Sequence, residues 1–230
     1  RDSPISLSQY LEKMPDTQKE IYYISAETSA QALASPHLEG FKSKNIPVLI
    51  MTDAIDQFWL PMIGSFKEKK FTSITQGKIN LDELDSKNKD KKNKSNDDKD
   101  KQDKEYVDLI AQLKIVLGDQ VKDIRLSSKL TDSPVCLVAD EGDMDIAMEQ
   151  LMAQRDSNYK GAPRILEING DHSLIKNMKS LLSKKESNDL VSDAGTILFE
   201  QARLMEGKMP ADPAQFSKIM NQFLLKAIPN

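Results

Sequence analysis

Two histidines, one cysteine and two strand-to-helix turns are the places in this chain where residue type and spacing could carry chemistry. His37 and His172 have no second histidine or cysteine at metal-ligand spacing. Each follows a turn residue at a helix start and reads as a polar capping residue. Cys136 sits inside an apolar strand, where cysteine behaves as a small buried hydrophobe. The turn Ser25-Ala26-Glu27-Thr28-Ser29-Ala30 lacks the glycines that bring a backbone onto a phosphate, so Ser25, Thr28 or Ser29 reads as a helix cap. Thr52-Asp53-Ala54-Ile55-Asp56 is also glycine-free, and Asp53 reads as an N-cap rather than, with Asp56, a metal or catalytic group. No GxSxG, HExxH or Cys–His pairing occurs. The sequence therefore gives no catalytic residue and no metal ligand.

Apolar side chains are the better candidates. Met144, Met148, Leu151 and Met152 fall at spacings that put them on one helix face, and three of the ten methionines lie within those nine residues. Flexible, polarizable methionines suit adaptable binding surfaces, while the same spacing also fits ordinary core packing. Phe58, Trp59, Leu60 and Met62 form a second cluster that contains the only tryptophan. It is too apolar on all sides for one buried face, so part of it is expected to be exposed or covered by another part of the molecule.

The carboxyl-terminal segment carries the clearest periodicity. Ser187 to Glu206 and Asp212 to Ile228 read as two amphipathic helices joined at Gly207-Lys208-Met209-Pro210. Leu190, Ala194, Ile197, Leu198, Ala202 and Met205 line the first, and Phe216, Ile219, Met220, Phe223 and Leu224 the second. A helical hairpin leaves apolar surface that the rest of its domain or a second copy must cover. Two hairpins in a four-helix bundle would make a two-fold homodimer, and these eleven residues are its expected interface.

Composition narrows the partners. The chain has 230 residues, 39% hydrophobic and 30% charged, with a net charge of −4. The acidic balance argues against nucleic acid, which needs a basic stripe. No apolar run approaches about 18 residues, so no membrane span is expected. Residues 1–20 are polar and carry Pro4 and Pro15, unlike a signal peptide. A lone cysteine forms no intrachain disulfide and fits a reducing compartment. A first residue Arg1 rather than Met suggests a processed or excised piece.

Three regions are expected. Residues 1–84 hold strands at Glu20–Ser25, Pro47–Met51 and Phe71–Thr75, with helices at Ser29–Lys44, interrupted at Pro36, and Ile55–Phe66, kinked or broken at Pro61. That β-α-β-α-β order predicts a small α/β subdomain. Residues 85–105 contain no apolar side chain and carry eight lysines against seven acidic residues, which reads as a flexible linker, disordered or weakly helical, rather than the solvated face of a long helix. Residues 106–230 read as an α+β domain: a helix at Tyr106–Leu117, strands at Val121–Leu126, Val135–Ala139 and Arg164–Ile168, a helix at Asp143–Gln154, a helix from His172 to Leu182 with Asp171 as N-cap, and the hairpin.

Several segments together resemble one family. They are Ser6-Leu7-Ser8-Gln9-Tyr10, Gln18-Lys19-Glu20-Ile21-Tyr22-Tyr23-Ile24, Ser35-Pro36-His37-Leu38, Val48-Leu49-Ile50-Met51-Thr52-Asp53 and Ile55-Asp56. Further along come Val121-Lys122-Asp123-Ile124-Arg125-Leu126, Leu130-Thr131-Asp132-Ser133-Pro134, Leu166-Glu167-Ile168-Asn169, Asp171-His172 and Leu198-Phe199-Glu200-Gln201-Ala202. In order, they resemble the middle-to-carboxyl-terminal part of the 90-kDa heat-shock chaperones, in the bacterial high-temperature protein G branch. The resemblance implies the end of a middle domain followed by a dimerization domain, within an ATP-dependent chaperone of the stress response. It implies that ATP and magnesium act in an amino-terminal domain and that this chain itself is not an enzyme and holds no cofactor. It implies client contacts at Phe58, Trp59, Met144, Met148, Leu151 and Met152, hence unfolded or partly folded proteins as partners, with neither nucleic acid nor membrane. Pro61 stands where relatives tend to carry a polar residue, and Gly170 and Ser173 replace prolines common around the Asp-His pair. The chain ends without the acidic tail that docks tetratricopeptide co-chaperones, so that docking is not expected. The competing expectation is an α/β enzyme or ligand-binding protein with an interdomain site.

Overall fold

A computed structural model describes residues 4–77, 79–81, 92–156, 159, 161–183 and 188–228; the side chains of 92–103 and 183 are outside that description. The architecture is α+β. Contacts divide the chain into two units that interleave in sequence. The first comprises Arg1–Asn93, Ser128–Thr131 and Val138–Ala162; the second comprises Lys94–Ser127, Asp132–Leu137 and Pro163–Asn230. Boundaries drawn from sequence at 84 and 106 put residues 138–162 with the second unit, whereas their contacts lie with the first.

The first unit opens on α1 (Leu7–Lys13), started by a capping box: Gln9 N donates to Ser6 Oγ at 3.2 Å and Ser6 N to Gln9 Oε1 at 2.9 Å. β1 (Ile21–Ser25) is the central strand. It pairs in parallel with β2 (Leu49–Met51) and with β4 (Lys69–Ser73), and β4 pairs antiparallel with β3 (Ser65–Phe66), giving the order β2-β1-β4-β3. The period-2 alternation of β1 serves two cores. Tyr22 and Ile24 join Phe41, Leu38 and Ala32 from α2 (Ser29–Leu33), the 3-10 turn Pro36–Leu38 and α3 (Glu39–Ser43). Ile21 joins Tyr10 of α1 and Leu60 of α4 (Asp56–Ile63). Tyr10 is the keystone there: its hydroxyl donates to Pro47 O at 2.7 Å and accepts from Gln18 Nε2 at 2.9 Å and Tyr22 N at 3.2 Å.

Several local expectations need correcting. Pro61 does not end α4, which runs through it to Ile63. Thr28 does cap α2, accepting from Gln31 N at 3.1 Å, but Asp53 caps nothing. Its own N–H donates to Asp56 Oδ2 at 3.2 Å, so the carboxylate of the helix's first turn reaches back to the preceding loop. His37 is buried and donates its backbone N–H to Ser35 Oγ at 3.3 Å, so Ser35 is the cap. At the other histidine, His172 Nδ1 accepts from Leu174 N at 3.2 Å and takes the capping position expected of Asp171. Asp171 instead pairs with Lys176 at 3.1 Å.

The segment Ser128–Thr131 locks into the first unit. Lys129, 1% exposed, donates to Ile74 O at 3.0 Å, Ser128 Oγ donates to Ile79 O at 2.9 Å, and Thr131 N donates to Glu39 Oε2 at 2.8 Å. Only glycine fits opposite: a Cβ on Gly40 would stand 2.5 Å from Lys129 O and 2.6 Å from Leu81 Cδ1.

The second unit begins with α5, which spans Lys92–Leu117. The latter part of the charged tract is helical and continuous with Tyr106–Leu117, rather than apart from it, and the boundary between the units falls within the tract at Asn93; residues 85–91 lie outside the described ones. The apolar stripe Tyr106, Leu109, Leu113 and Leu117 nucleates the helix on the core, and adding further turns costs little once a first turn is fixed. β5 (Val121–Leu126) and β6 (Val135–Val138) flank β7 (Arg164–Ile168), with β5 and β7 parallel. The buried Glu167 carboxylate accepts from Arg125 Nη2 at 2.8 Å and Ser127 Oγ at 2.8 Å. α7 (Ser173–Ser183), α8 (Asn188–Met205) and α9 (Pro213–Ala227) complete the unit. α8 ends in a Schellman motif: Lys208 N donates to Arg203 O and Gly207 N to Leu204 O, both at 2.9 Å, with Gly207 at φ +75. Asp212 then caps α9 through Gln215 N at 2.9 Å, one residue before Pro213.

Candidate functional site

α4 presents an apolar stripe to solvent. Ile55, Phe58 and Met62, at i, i+3 and i+7, are 64%, 37% and 85% exposed. Leu60 faces the core, and Trp59 packs edge-on against Phe71 with centroids 5.9 Å apart while Nε1 donates to Asp56 Oδ1 at 2.7 Å. Of the two aromatic candidates, Phe58 is the surface residue and Trp59 is the strut beneath it. Ile55 and Ile63 belong to the same exposed surface and escaped the sequence reading, although Ile55, Phe58 and Met62 have helical spacing.

The methionine helix, α6, starts at Ile146 and runs to Arg155, later than its apolar pattern suggests. Met144 therefore precedes the helix. It is exposed, and its sulfur accepts from Tyr159 Oη at 4.0 Å. Met148, Leu151 and Met152 are half-buried, and none belongs to a core cluster. The buried side of α6 is instead Ile146 and Glu149, with Glu149 Oε1 accepting from Ala162 N at 2.7 Å. Asp145 fixes the start of the helix: Oδ1 accepts from Ala147 N at 2.9 Å, and Oδ2 accepts from the hydroxyls of Thr75, at 2.9 Å, and Ser73. This carboxylate and burial have a measurable consequence for Tyr23. Burial first, then the charge of Asp145, pushes its phenol up to about 12.

A groove of about 270 Å³ opens where the loops after β1 and β2 face α6, lined by Glu27, Asp53, Gln57, Gln150, Leu151 and Gln154 with neighbouring alanines. Leu151 is the one sequence-derived candidate that lines it. The glutamines carried no motif and were invisible to pattern. Gln154 Nε2 donates to Glu27 Oε1 at 3.2 Å and ties α6 to the loop after β1.

The helical hairpin splits the expected interface residues into three sets. Ala194, Ile197, Leu198, Ala202 and Ile219 are buried by their own chain, and Ala194, Leu198 and Ala202 sit in the second unit's core beside Val191 and Phe199. Met205 and Leu224 are exposed, at 53% and 51%. Leu190, Phe216, Met220 and Phe223 are half-buried, Phe223 packing against the core. Leu204, Met209, Leu225 and Ile228, absent from the expected set, extend the exposed apolar surface of the hairpin.

Among the described residues no group of three or more His, Cys, Asp or Glu could hold a metal ion, and no helix is long and apolar enough to cross a membrane. Cys136 is buried, with Sγ 4.0 Å from Glu167 Oε2. The turns after β1 and β2 contain no glycine to bring a backbone onto a phosphate.

The family model described as Hsp90 protein matches residues 1–229. The chain is 39% identical over 225 residues to the chaperone protein HtpG of Roseobacter denitrificans, covering 97% of this chain and 36% of that relative. It is 37% identical over 227 residues to the chaperone protein HtpG of Paramagnetospirillum magneticum, covering 99% of this chain and 36% of the relative. The protein of the same name from Wolbachia pipientis wMel is 37% identical over 223 residues, covering 96% of this chain and 34% of the relative. The chain thus spans about a third of the length of the curated relatives it matches.

Proposed function

The chain belongs to the Hsp90 protein family, and from that premise we propose that it is the dimerization and client-binding portion of an ATP-dependent cytoplasmic chaperone. ATP and magnesium act elsewhere in such a chaperone, and the residues here catch unfolded or partly folded proteins. Two copies associate through the exposed face of α8 and α9, and each presents the α4 stripe and the Met144–Met152 segment to a client. Paired patches raise avidity by effective concentration without any new contact.

The observation that carries this reading is the α4 stripe. Ile55, Phe58 and Met62 are held outward on a short helix whose Trp59 and Leu60 anchor it to the sheet. A contiguous apolar surface on a rigid element is what marks a protein-binding site. The test is anisotropy of a labelled, reduced and carboxymethylated protein titrated with this chain. Ile55→Ser together with Met62→Ser, at positions 64% and 85% exposed, removes mainly exposed apolar area, so it should weaken client binding by at least about tenfold with little change in thermal unfolding. Unchanged affinity in a folded double variant would remove α4 from the client site.

A further inference from the structure

We propose that the groove at the carboxyl ends of β1 and β2 takes a lysine or arginine side chain from an extended client segment. The proposal rests on the client-binding reading above and narrows its substrate class. β1 and β2 are parallel neighbours. The chain leaves β1 through α2 and α3 to reach β2, then leaves β2 through α4 for the opposite edge of the sheet. The groove lies at the carboxyl ends of these strands, the end of an open parallel sheet at which ligand sites generally lie.

Size and lining select the occupant. At about 270 Å³ the groove lies just below the roughly 300–1,000 Å³ typical of pockets that enclose a whole small molecule, so it suits one long side chain with its flanking backbone. Its charged lining residues are Glu27 and Asp53, both acidic and both exposed. Their carboxylates repel a phosphate and attract an ammonium or guanidinium. Gln57 brings an amide donor and acceptor to the wall, the pairing that a peptide N–H and C=O require, and Gln150 and Gln154 add polar lining. Leu151 and the alanines give the aliphatic stem of a basic residue an apolar wall while its head reaches the acids. The hydrogen bond from Gln154 to Glu27 orients that carboxylate from α6.

The experiment uses two labelled peptides that differ only at one central position, lysine in one and norleucine in the other, titrated against the 230-residue chain at low and high salt. The lysine peptide should bind about fivefold more tightly at low salt, the scale of one partly exposed ion pair, and the preference should shrink at high salt. Glu27→Gln and Asp53→Asn, singly and together, should bring the lysine peptide to within about twofold of the norleucine peptide. Both positions are exposed, so circular dichroism should show unchanged folding. Equal binding of the two peptides, or a lysine preference that survives in the double variant, overturns the groove proposal. If the carboxymethylated client still binds in that case, the client-binding reading stands without it. If neither peptide nor client binds, both fall.

Discussion

Leu225 is the residue on which the proposed dimer can be tested most cleanly. It lies on α9, is 75% exposed, and belongs to no core cluster of its own chain. Full burial of a leucine side chain contributes about 1.5–3 kcal/mol. Covering three quarters of one in each of two copies related by a two-fold axis gives about 2–4 kcal/mol per dimer. Leu225→Asp removes that contribution and places an unpaired charge at each of two equivalent positions, so the dissociation constant should rise by at least about thirty- to a thousandfold. Sedimentation velocity over a concentration series reads the dissociation, and far-ultraviolet circular dichroism confirms that each copy stays folded. Leu198→Asp is the informative contrast. Leu198 is 3% exposed inside the chain's own core, so that change should unfold the second unit rather than release an intact monomer. Should Leu225→Asp associate as the wild type does, or should the wild type sediment as a monomer at every concentration, the assignment of this face to a second copy is wrong.

Three further outcomes follow from the geometry. Gly40→Ala gains about 1 kcal/mol of helix propensity, but its Cβ would stand 2.5 Å from a backbone oxygen of Lys129, and overpacking of that kind costs about 1–3 kcal/mol. A lower denaturant midpoint is expected, and a higher one would show that the Ser128–Thr131 segment is not held as described. In the two-residue loop between β3 and β4, Lys67 and Glu68 sit at φ 45 and 63, where Asn-Gly is the favoured pair. Lys67→Asn with Glu68→Gly should raise stability by about 1 kcal/mol, less any loss of the Lys67 contact with the Phe66 ring, and an unchanged melting temperature would contradict the strain. Alkaline pH should destabilise the chain through Tyr23. Its folded phenol is raised from 10.0 to about 12, so its contribution is fully present below pH 10 and is lost as pH rises towards 12. Urea midpoints measured across that window should fall more steeply for the wild type than for Tyr23→Phe; equal slopes would refute the assignment.

The central β1, the three strands of the second unit and both hairpin helices were legible because their apolar residues repeat at the period of the element they form. The resemblance of the ordered segments to the heat-shock chaperones agrees with the family match across residues 1–229. What pattern could not show has physical causes. The start of α5 carries no apolar residue, so nothing in its periodicity marks a helix. It extends from the anchored turns at Tyr106–Leu117, with acidic and basic residues at helical spacing, as in Asp97 and Lys101. The hairpin of β3 and β4 hides because Lys67-Glu68 is an unusual choice for left-handed backbone. Asp145 moves the start of α6 past Met144, because the hydroxyls of Ser73 and Thr75, some seventy residues earlier, fix its carboxylate. At the hairpin, periodicity identified apolar faces but could not apportion Leu198 to the chain's own core and Leu225 to its surface. That division depends on which neighbours arrive in three dimensions.

The first unit's interleaving has a consequence for biosynthesis. Domains that are continuous in sequence can fold as soon as they leave the ribosome, amino-terminal part first. Here Lys129, the hydroxyl-clamped Asp145 and α6 are all translated after β5 of the neighbouring unit has begun to emerge. The two apolar cores of the sheet β2-β1-β4-β3 are complete by Leu81, whereas the side chains that bond Ile74 O and the hydroxyls of Ser73 and Thr75 arrive only with Lys129 and Asp145. A polypeptide cut within the charged tract would keep both of those cores and forgo only the later polar ties from Lys129 and Asp145.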